Sequence, residues 1–206
     1  SSSKAQSLNI QIQSDSGLSH SIPSKLIDQA HKLGDVVNDL MNVKTDGVKT
    51  NVLYGKRLLA KIAKLNPDVQ IHIVSDLNLI KDNTIRAGLV DGGYYVPAQN
   101  TSYIYPKSDA WESSVLELIN HELVHSVSEQ IIFDDLIPPK HDQKLNNIIT
   151  KIGEYLFENS DLLSESSVDR LIYAFNTNPQ HEVLAVGMAE TEVRDSLKKI
   201  LGNEGL

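Results

Sequence analysis

The stretch "ELINHELVHSVSEQ", residues 117 to 130, decides how the rest of the chain is interpreted. Within it, His121 and His125 are four positions apart, and Glu122 directly follows the first of them. Residues four apart on a helix lie on one face, so both imidazoles can reach the same point. Zinc hydrolases use this spacing: two neutral histidines hold Zn²⁺, and the carboxylate takes a proton from the metal-bound water. The motif therefore predicts two zinc ligands, His121 and His125, and a general base, Glu122.

The residues that surround the motif favour a helix. Apolar residues recur at helical spacing and provide a side to bury: Val115, Leu116, Ile119, Leu123 and Val127. The helix should begin between residues 108 and 114, where Asp109-x-x-Glu112 and Ser114-x-x-Glu117 each fit a capping box, and run to about Ile131. The alternative is a pair of structural or surface histidines, which would need hydrogen-bond partners if buried.

Composition narrows the chemistry and the partners. The chain has 206 residues, a formal net charge of -8 and no cysteine. Any metal must therefore be held by His, Asp or Glu, and a disulfide framework is excluded. The acidic balance, without a dense Lys/Arg cluster, argues against nucleic acid and favours a protein or peptide partner. No run approaches the roughly 20 apolar residues of a membrane span, and the first residues lack the apolar core of a signal peptide, so we expect a soluble chain.

The pattern of apolar residues predicts an α+β fold that is mostly helical, with a small sheet. We expect a polar tail over 1–22, although Leu8 to Ile12 alternates like a short strand, and a single domain over 23–206. Its first part, 23–65, should be helical, and 66–206 should form the catalytic core. The predicted helices begin near Ser24, residue 51, the motif, residue 145, Ser164 and Asn178. The predicted strands are residues 69–73, 94–96 and 103–105, with Pro97 and Pro106 confining the last two to an edge or an end.

Zinc needs a third protein ligand if the fourth position is left for water. The extended motif with a His six residues after the second His fails, because Ile131 stands there. The downstream acids that remain as candidates are Glu154, Glu158, Glu165, Glu182 and Glu190. Glu182 is favoured because it begins a helix and is followed by Ala185, Gly187 and Ala189, small residues that let one helix approach another.

Three stretches, "GYYVPAQNTSYIY", "INHELVHSV" and "NPQHEVLAVGMAE", resemble in order and kind the catalytic domain of anthrax lethal factor and related toxin-like or phage-encoded zinc metallopeptidases. The resemblance covers about residues 88 to 190. It implies a zincin-like fold of the gluzincin type, with an edge strand near the HExxH helix and a later Glu-x-x-Ala helix. It also implies Glu182 as the third ligand.

The same resemblance implies roles for several aromatic and strand residues. Tyr95, Val96 and Tyr103 would belong to the strand against which an extended substrate pairs. In the family a tyrosine hydroxyl shortly before the third ligand stabilises the developing oxyanion. Phe175 stands at the matching position here, so Tyr173, the nearest tyrosine, is the candidate for that role, and the alternative is that Tyr173 is a core aromatic. Val186 stands where thermolysin-like enzymes have an Asp, and Glu117 is a candidate replacement, unless it is simply solvated.

Two hypotheses from different classes follow. The first is a zinc-dependent endopeptidase that hydrolyses peptide bonds of a protein substrate, as a secreted or injected effector or a phage-associated protein. The second is a binding or structural protein, a virion or effector component, that keeps the metallopeptidase fold without turnover. An intact Glu122 favours the first, because a site that only holds zinc has no need of a base. The chain could also be one catalytic module of a larger polypeptide.

Overall fold

The computed structural model of the chain describes residues 8–48, 52–111, 113–133, 143, 146–154, 163–177 and 179–201. Contacts divide the chain into two units, Ser1–Ser126 and Val127–Leu206. The sequence predicted one domain from residue 23, whereas this division falls inside the helix that carries the motif. The class is α+β, as predicted.

The first unit contains every strand that the described residues form. The strands are β1 (Asn9–Gln13), β2 (Ser19–Pro23), β3 (Ala30–Lys32), β4 (Lys44–Thr45), β5 (Gln70–Ile73), β6 (Gly93–Val96) and β7 (Thr101–Ile104). Its helices are α1 (Leu33–Leu40), α2 (Val52–Leu65), α3 (Asn83–Leu89) and α4 (Val115–Phe133), the last of which continues past Ser126. The predicted helix at 51–65 and the strand at 69–73 are confirmed.

A three-stranded antiparallel sheet in the order β1-β2-β4 occupies the region where the sequence predicted a tail. Ile12 pairs with His20, and Asn9 pairs with Pro23. The expected tail is therefore wrong for residues 9–22, while the strand-like alternation around Ile12 is confirmed. The hydrogen bonds to β2 order this polar segment, because they satisfy its backbone N–H and C=O groups.

The helix predicted from Ser24 begins only at Leu33. Residues 24–26 form a single 3₁₀ turn, and Asp28 adopts φ +60°, which a right-handed helix cannot contain. The Asp28 carboxylate holds this conformation by accepting hydrogen bonds from the backbone N (2.8 Å) and Oγ (2.5 Å) of Ser75. Leu26, Leu33 and Leu40, three apolar residues of this segment, are nevertheless buried.

The second sheet has the order β3-β5-β7-β6, and β6 is its last strand. β5 runs parallel to β7, and β6 pairs antiparallel with β7 through Gly93 with Ile104 and Tyr95 with Ser102. The two predicted strands are thus confirmed as neighbours, and β6 lies at the predicted edge, whereas β7 lies inside the sheet between β5 and β6. Asn100, with φ +46°, makes the turn, because a short polar side chain tolerates the left-handed conformation.

α4 begins where the capping signals predicted. The Ser114 Oγ accepts a hydrogen bond from the backbone N of Glu117 (3.2 Å), while Glu112 lies outside the described residues. Val115, Leu118 and Leu123 point in different directions yet are all buried. A helix that is buried all round forms part of the interior, so α4 is the central helix of its unit.

The second unit is built from helices in its described part. These are α5 (Glu165–Thr177), α6 (Pro179–Ala189), α7 (Thr191–Leu201) and helical residues 146–154. Their core contains Ile152, Leu171, Val186 and Leu197. The helices predicted near 145, 164 and 178 are confirmed. Among the described residues, no helix combines the length and apolarity needed to cross a membrane.

Candidate metal centre

His121 and His125 direct their Nε2 atoms at the same space. The two atoms lie 3.3 Å apart, and the ring centroids are 4.9 Å apart at an interplanar angle of 74°. Zinc binds imidazole nitrogen at roughly 2.0–2.1 Å, so two nitrogens at the tetrahedral angle around one ion lie about 3.3 Å apart. The separation in α4 therefore fits two ligands of a single tetrahedral ion without a change of rotamer.

Glu122 completes a buried trio with these histidines. Its Oε1 lies 3.9 Å from the Nε2 of His121, and ligand atoms of all three residues lie within 4.8 Å of one another. Because 3.9 Å exceeds the separation of two tetrahedral ligands, the carboxylate fits beside the ion rather than on it. The three residues that the motif predicted as a site are thus brought together, in an arrangement that fits zinc.

The two histidines differ in their surroundings. His121 is buried, and the indole of Trp111 meets its ring edge-on with the centroids 5.8 Å apart. The Trp111 Nε1 donates to the carbonyl of Ser114 at the start of α4 (3.1 Å), which holds the indole in place. His125 is only half-buried. The His121 side of the centre is therefore more shielded from solvent than the His125 side.

The sheet contacts the motif helix at Glu122. The Ser102 Oγ in β7 donates to the backbone carbonyl of Glu122 at 3.3 Å. Gly93, in the edge strand β6, lies directly against the Glu122 side chain. The edge strand expected near the HExxH helix is therefore present, and its point of contact is the proposed base.

Glu117 lies one turn before His121 and is buried, so the expectation of a solvated Glu is wrong. Its Oε2 accepts a hydrogen bond from the Ser113 Oγ at 2.5 Å. Whether Glu117 also orients His121 stays a prediction.

The three residues predicted to bind substrate lie on two faces of the sheet. Tyr95 pairs with Ser102 and shares the face that meets α4, and its hydroxyl donates to the Asn100 Oδ1 at 3.1 Å. Val96 and Tyr103 face the opposite way and pack, partly buried, against a small core around Leu89. Of the three side chains, Tyr95 is therefore the one on the face of the metal centre.

Glu182 and Tyr173, in the second unit, border the same guanidinium. Glu182 is half-buried in the first turn of α6, and Arg170 lies over the ring of Tyr173, 5.5 Å from its centroid. Burial by itself would lower the pKa of Arg170, but the hydrogen bonds to Glu190 and the charges of Glu190 and Glu182 together offset it, so the pKa is raised. The two predicted residues thus share a neighbour, and their roles at the centre stay predictions.

The other acids weighed as a third ligand have different environments. Glu154 and Glu165 are exposed, and Glu158 lies outside the described residues. Glu190 forms a two-pronged ion pair with Arg170, with both N to O distances at 2.9 Å. Of the described acids considered as a third ligand, Glu182 is therefore the one that is half-buried and not in the ion pair with Arg170.

The small residues after Glu182 have a use that the sequence did not predict. A Cβ on Gly187 would come within 2.6 Å of the Leu197 Cδ1, so this glycine lets α6 approach α7. The sequence predicted that these residues would let the helix of Glu182 approach the motif helix, and that approach stays a prediction; the close packing seen at Gly187 is with α7. Sequence reasoning also missed Gly93, Ser102 and Trp111; the single tryptophan of the chain was the strongest available signal.

Comparison with protein families, with curated proteins and with solved structures finds no match to this chain. The centre is therefore interpreted from its own geometry.

Proposed function

We propose that the chain is a zinc-dependent endopeptidase of the HExxH, gluzincin-like type. The observation that carries the proposal is the 3.3 Å separation of the His121 and His125 Nε2 atoms, with the Glu122 carboxylate 3.9 Å from the first. The same separation would also suit a hydrogen bond between two structural histidines, but that alternative gives the buried Glu122 carboxylate beside them no role.

His121 and His125 would hold the ion, with Glu182 as the proposed third ligand. Zinc, when bound, supplies the charge that lowers the pKa of water towards roughly 7. Glu122 would accept the proton of the attacking water at its carboxylate and then deliver it to the nitrogen of the leaving amine. Burial of Glu122 favours this exchange, because a carboxylate shielded from bulk water retains the proton between the two transfers.

Tyr173 is the proposed donor to the oxyanion that develops on the peptide carbonyl. Tyr173 is 44% exposed, so a substrate can reach its side chain from solvent. The neighbouring Arg170 guanidinium contacts the ring face and limits its orientation. A donor of this kind stabilises charge only as it forms, which is why it would act on kcat more than on binding.

The proposed substrate is a protein segment in an extended conformation. β6 is the last strand of its sheet, and a substrate strand can pair with the backbone of such an edge. Gly93 in this strand contacts Glu122, so a chain paired along β6 would run past the base. The formal charge of -8 also suits a protein partner better than a nucleic acid.

Metal analysis and cleavage assays on matched variants test the proposal. The purified chain should bind one zinc ion at neutral pH and cleave a mixture of unstructured peptides, with products identified by mass spectrometry. Glu122→Gln should keep the zinc and lose at least about a thousandfold in kcat/KM, whereas the exposed Glu154→Gln should behave as wild type. Absence of zinc, or full activity of Glu122→Gln, would reject the proposal. Zinc binding without cleavage would favour the non-catalytic binding protein.

A further inference from the structure

Gly93 lies where any side chain would collide with the proposed base. A Cβ built on Gly93 would be 2.4 Å from the Glu122 Cγ, 2.5 Å from its Oε1 and 2.6 Å from its Cδ. All three distances are below 3.0 Å, a separation that real Cβ atoms essentially never show. The carboxyl end of Glu122 thus occupies the space that a side chain at residue 93 would fill.

The need for glycine at residue 93 comes from space and not from the backbone. Gly93 belongs to β6 and has no positive φ, so alanine can adopt its conformation. The preceding Gly92 differs, because its φ of +106° itself disfavours a side chain. A change of Gly93 to alanine therefore introduces one methyl group against Glu122 without straining the chain.

The backbones on both sides of this contact are held in place. The Ser102 Oγ donates to the Glu122 carbonyl, which ties the turn of α4 to β7. Gly93 is held by its pairing with Ile104 in the same strand β7. With both backbones anchored to β7, an added methyl group must displace the flexible Glu122 side chain.

We infer that Gly93 is a positioning residue: its lack of a side chain lets the Glu122 carboxylate lie beside the Nε2 of His121. The catalytic consequence of this inference rests on the proposed function, because the position of the Glu122 carboxylate matters to the reaction only if Glu122 acts as the base. The contact itself is independent of the metal, because it joins two parts of the polypeptide.

Kinetics of Gly93→Ala in two backgrounds test the catalytic consequence. In wild type the substitution should lower kcat/KM by about a hundredfold, the cost of a displacement of roughly 1 Å, and leave zinc affinity unchanged. In Glu122→Gln it should leave the residual activity unchanged, because no base remains to be displaced. An equal loss in both backgrounds would overturn the inference, because Gly93 would then act on the structure generally. Gly34→Ala, which places a methyl group 3.2 Å from Pro67 in the same unit, is the matched control with wild-type kinetics expected.

Unfolding of the zinc-free protein tests the contact separately. Gly93→Ala should lower the urea midpoint in wild type but not in Glu122→Ala, which lacks all three atoms that the methyl group meets. The same loss in both backgrounds would show that Glu122 is not what the methyl group contacts. If wild type binds no zinc or cleaves nothing, the proposed function fails together with the catalytic part of this inference, and the unfolding result still decides the contact.

Discussion

The Nδ1 of His20 lies 2.7 Å from the hydroxyl of Thr45, and that hydroxyl oxygen also accepts the backbone N–H of Val115 at 2.8 Å. The His20 ring also forms a hydrogen bond with the backbone of Pro106. Through Thr45, His20 in the first sheet is thus linked to the first residue of the motif helix.

Stability should fall as the pH is lowered, because of His20. Burial lowers the pKa of His20 below 6.5, and its bond to Pro106 opposes this only in part. His20 therefore binds a proton more readily in the unfolded chain than in the folded one. Its contribution to the free energy of unfolding is fully present above pH 6.5 and is lost as the pH falls below that value. Burial also lowers the pKa of His72, against the raising effect of Asp28, and adds to the same trend. Urea unfolding of the zinc-free protein between about pH 8 and pH 5 measures this dependence of stability on pH.

The contribution of His20 is isolated by two variants. His20→Gln should have a shallower dependence of the urea midpoint on pH than wild type. Ile12→Val, at the residue that pairs with His20, should lower the free energy of unfolding by about 0.5–1.5 kcal/mol at every pH and keep the wild-type dependence on pH. An unchanged slope in His20→Gln would contradict the prediction.

Replacing the proposed third ligand should weaken zinc binding. We expect Glu182→Gln to reduce zinc affinity by more than the 10–100-fold typical of changes in outer partners of a ligand, because a charged ligand is lost. Competition with a chromogenic chelator measures the affinity. Glu165→Gln, a change at an exposed acid of the same unit, is the control and should bind zinc as wild type does. Equal affinity in Glu182→Gln would place the third ligand at another residue.

Removing the Tyr173 hydroxyl should slow cleavage without weakening zinc binding. Tyr173→Phe keeps the ring against Arg170, so the helix packing should survive. We expect kcat to fall roughly 10²–10³-fold, with zinc affinity and KM little changed. Tyr105→Phe, at a partly buried tyrosine beside the small core of the first unit, should keep wild-type kcat. A wild-type rate for Tyr173→Phe would remove it from the mechanism.

Asn120 should stabilise the fold through a single buried hydrogen bond. Its Nδ2 donates to the carbonyl of Gly55 in α2 at 3.0 Å, and the side chain is fully buried. Asn120→Ala should cost about 1–3 kcal/mol, because it leaves the Gly55 carbonyl without this donor. Asn42→Ala, which removes an exposed bond of 3.3 Å to Asn38, should cost less than about 0.5 kcal/mol. Chemical unfolding compares the two, and equal losses would contradict the expectation.

Sequence reasoning succeeded where the signal was local. The hairpin of β6 and β7 follows from alternating residues with Pro97 between them, and α4 follows from Ser114 and the apolar period after it. The first 40 residues were misread because their structure depends on distant partners. β1 is polar and is ordered by its pairing with β2. A helix through Asp28 is prevented by the backbone conformation of this residue, which is held by hydrogen bonds from Ser75, two residues after β5.

His121, Glu122 and His125 could be predicted from the sequence alone, because one helical turn determines how residues one and four positions apart face each other. Their surroundings depended on the tertiary structure. The methyl-sized gap at Gly93, the Ser102 hydrogen bond and the indole of Trp111 all come from segments separated from the motif along the chain. No local pattern specifies such contacts, because they arise only when the sheet packs against α4.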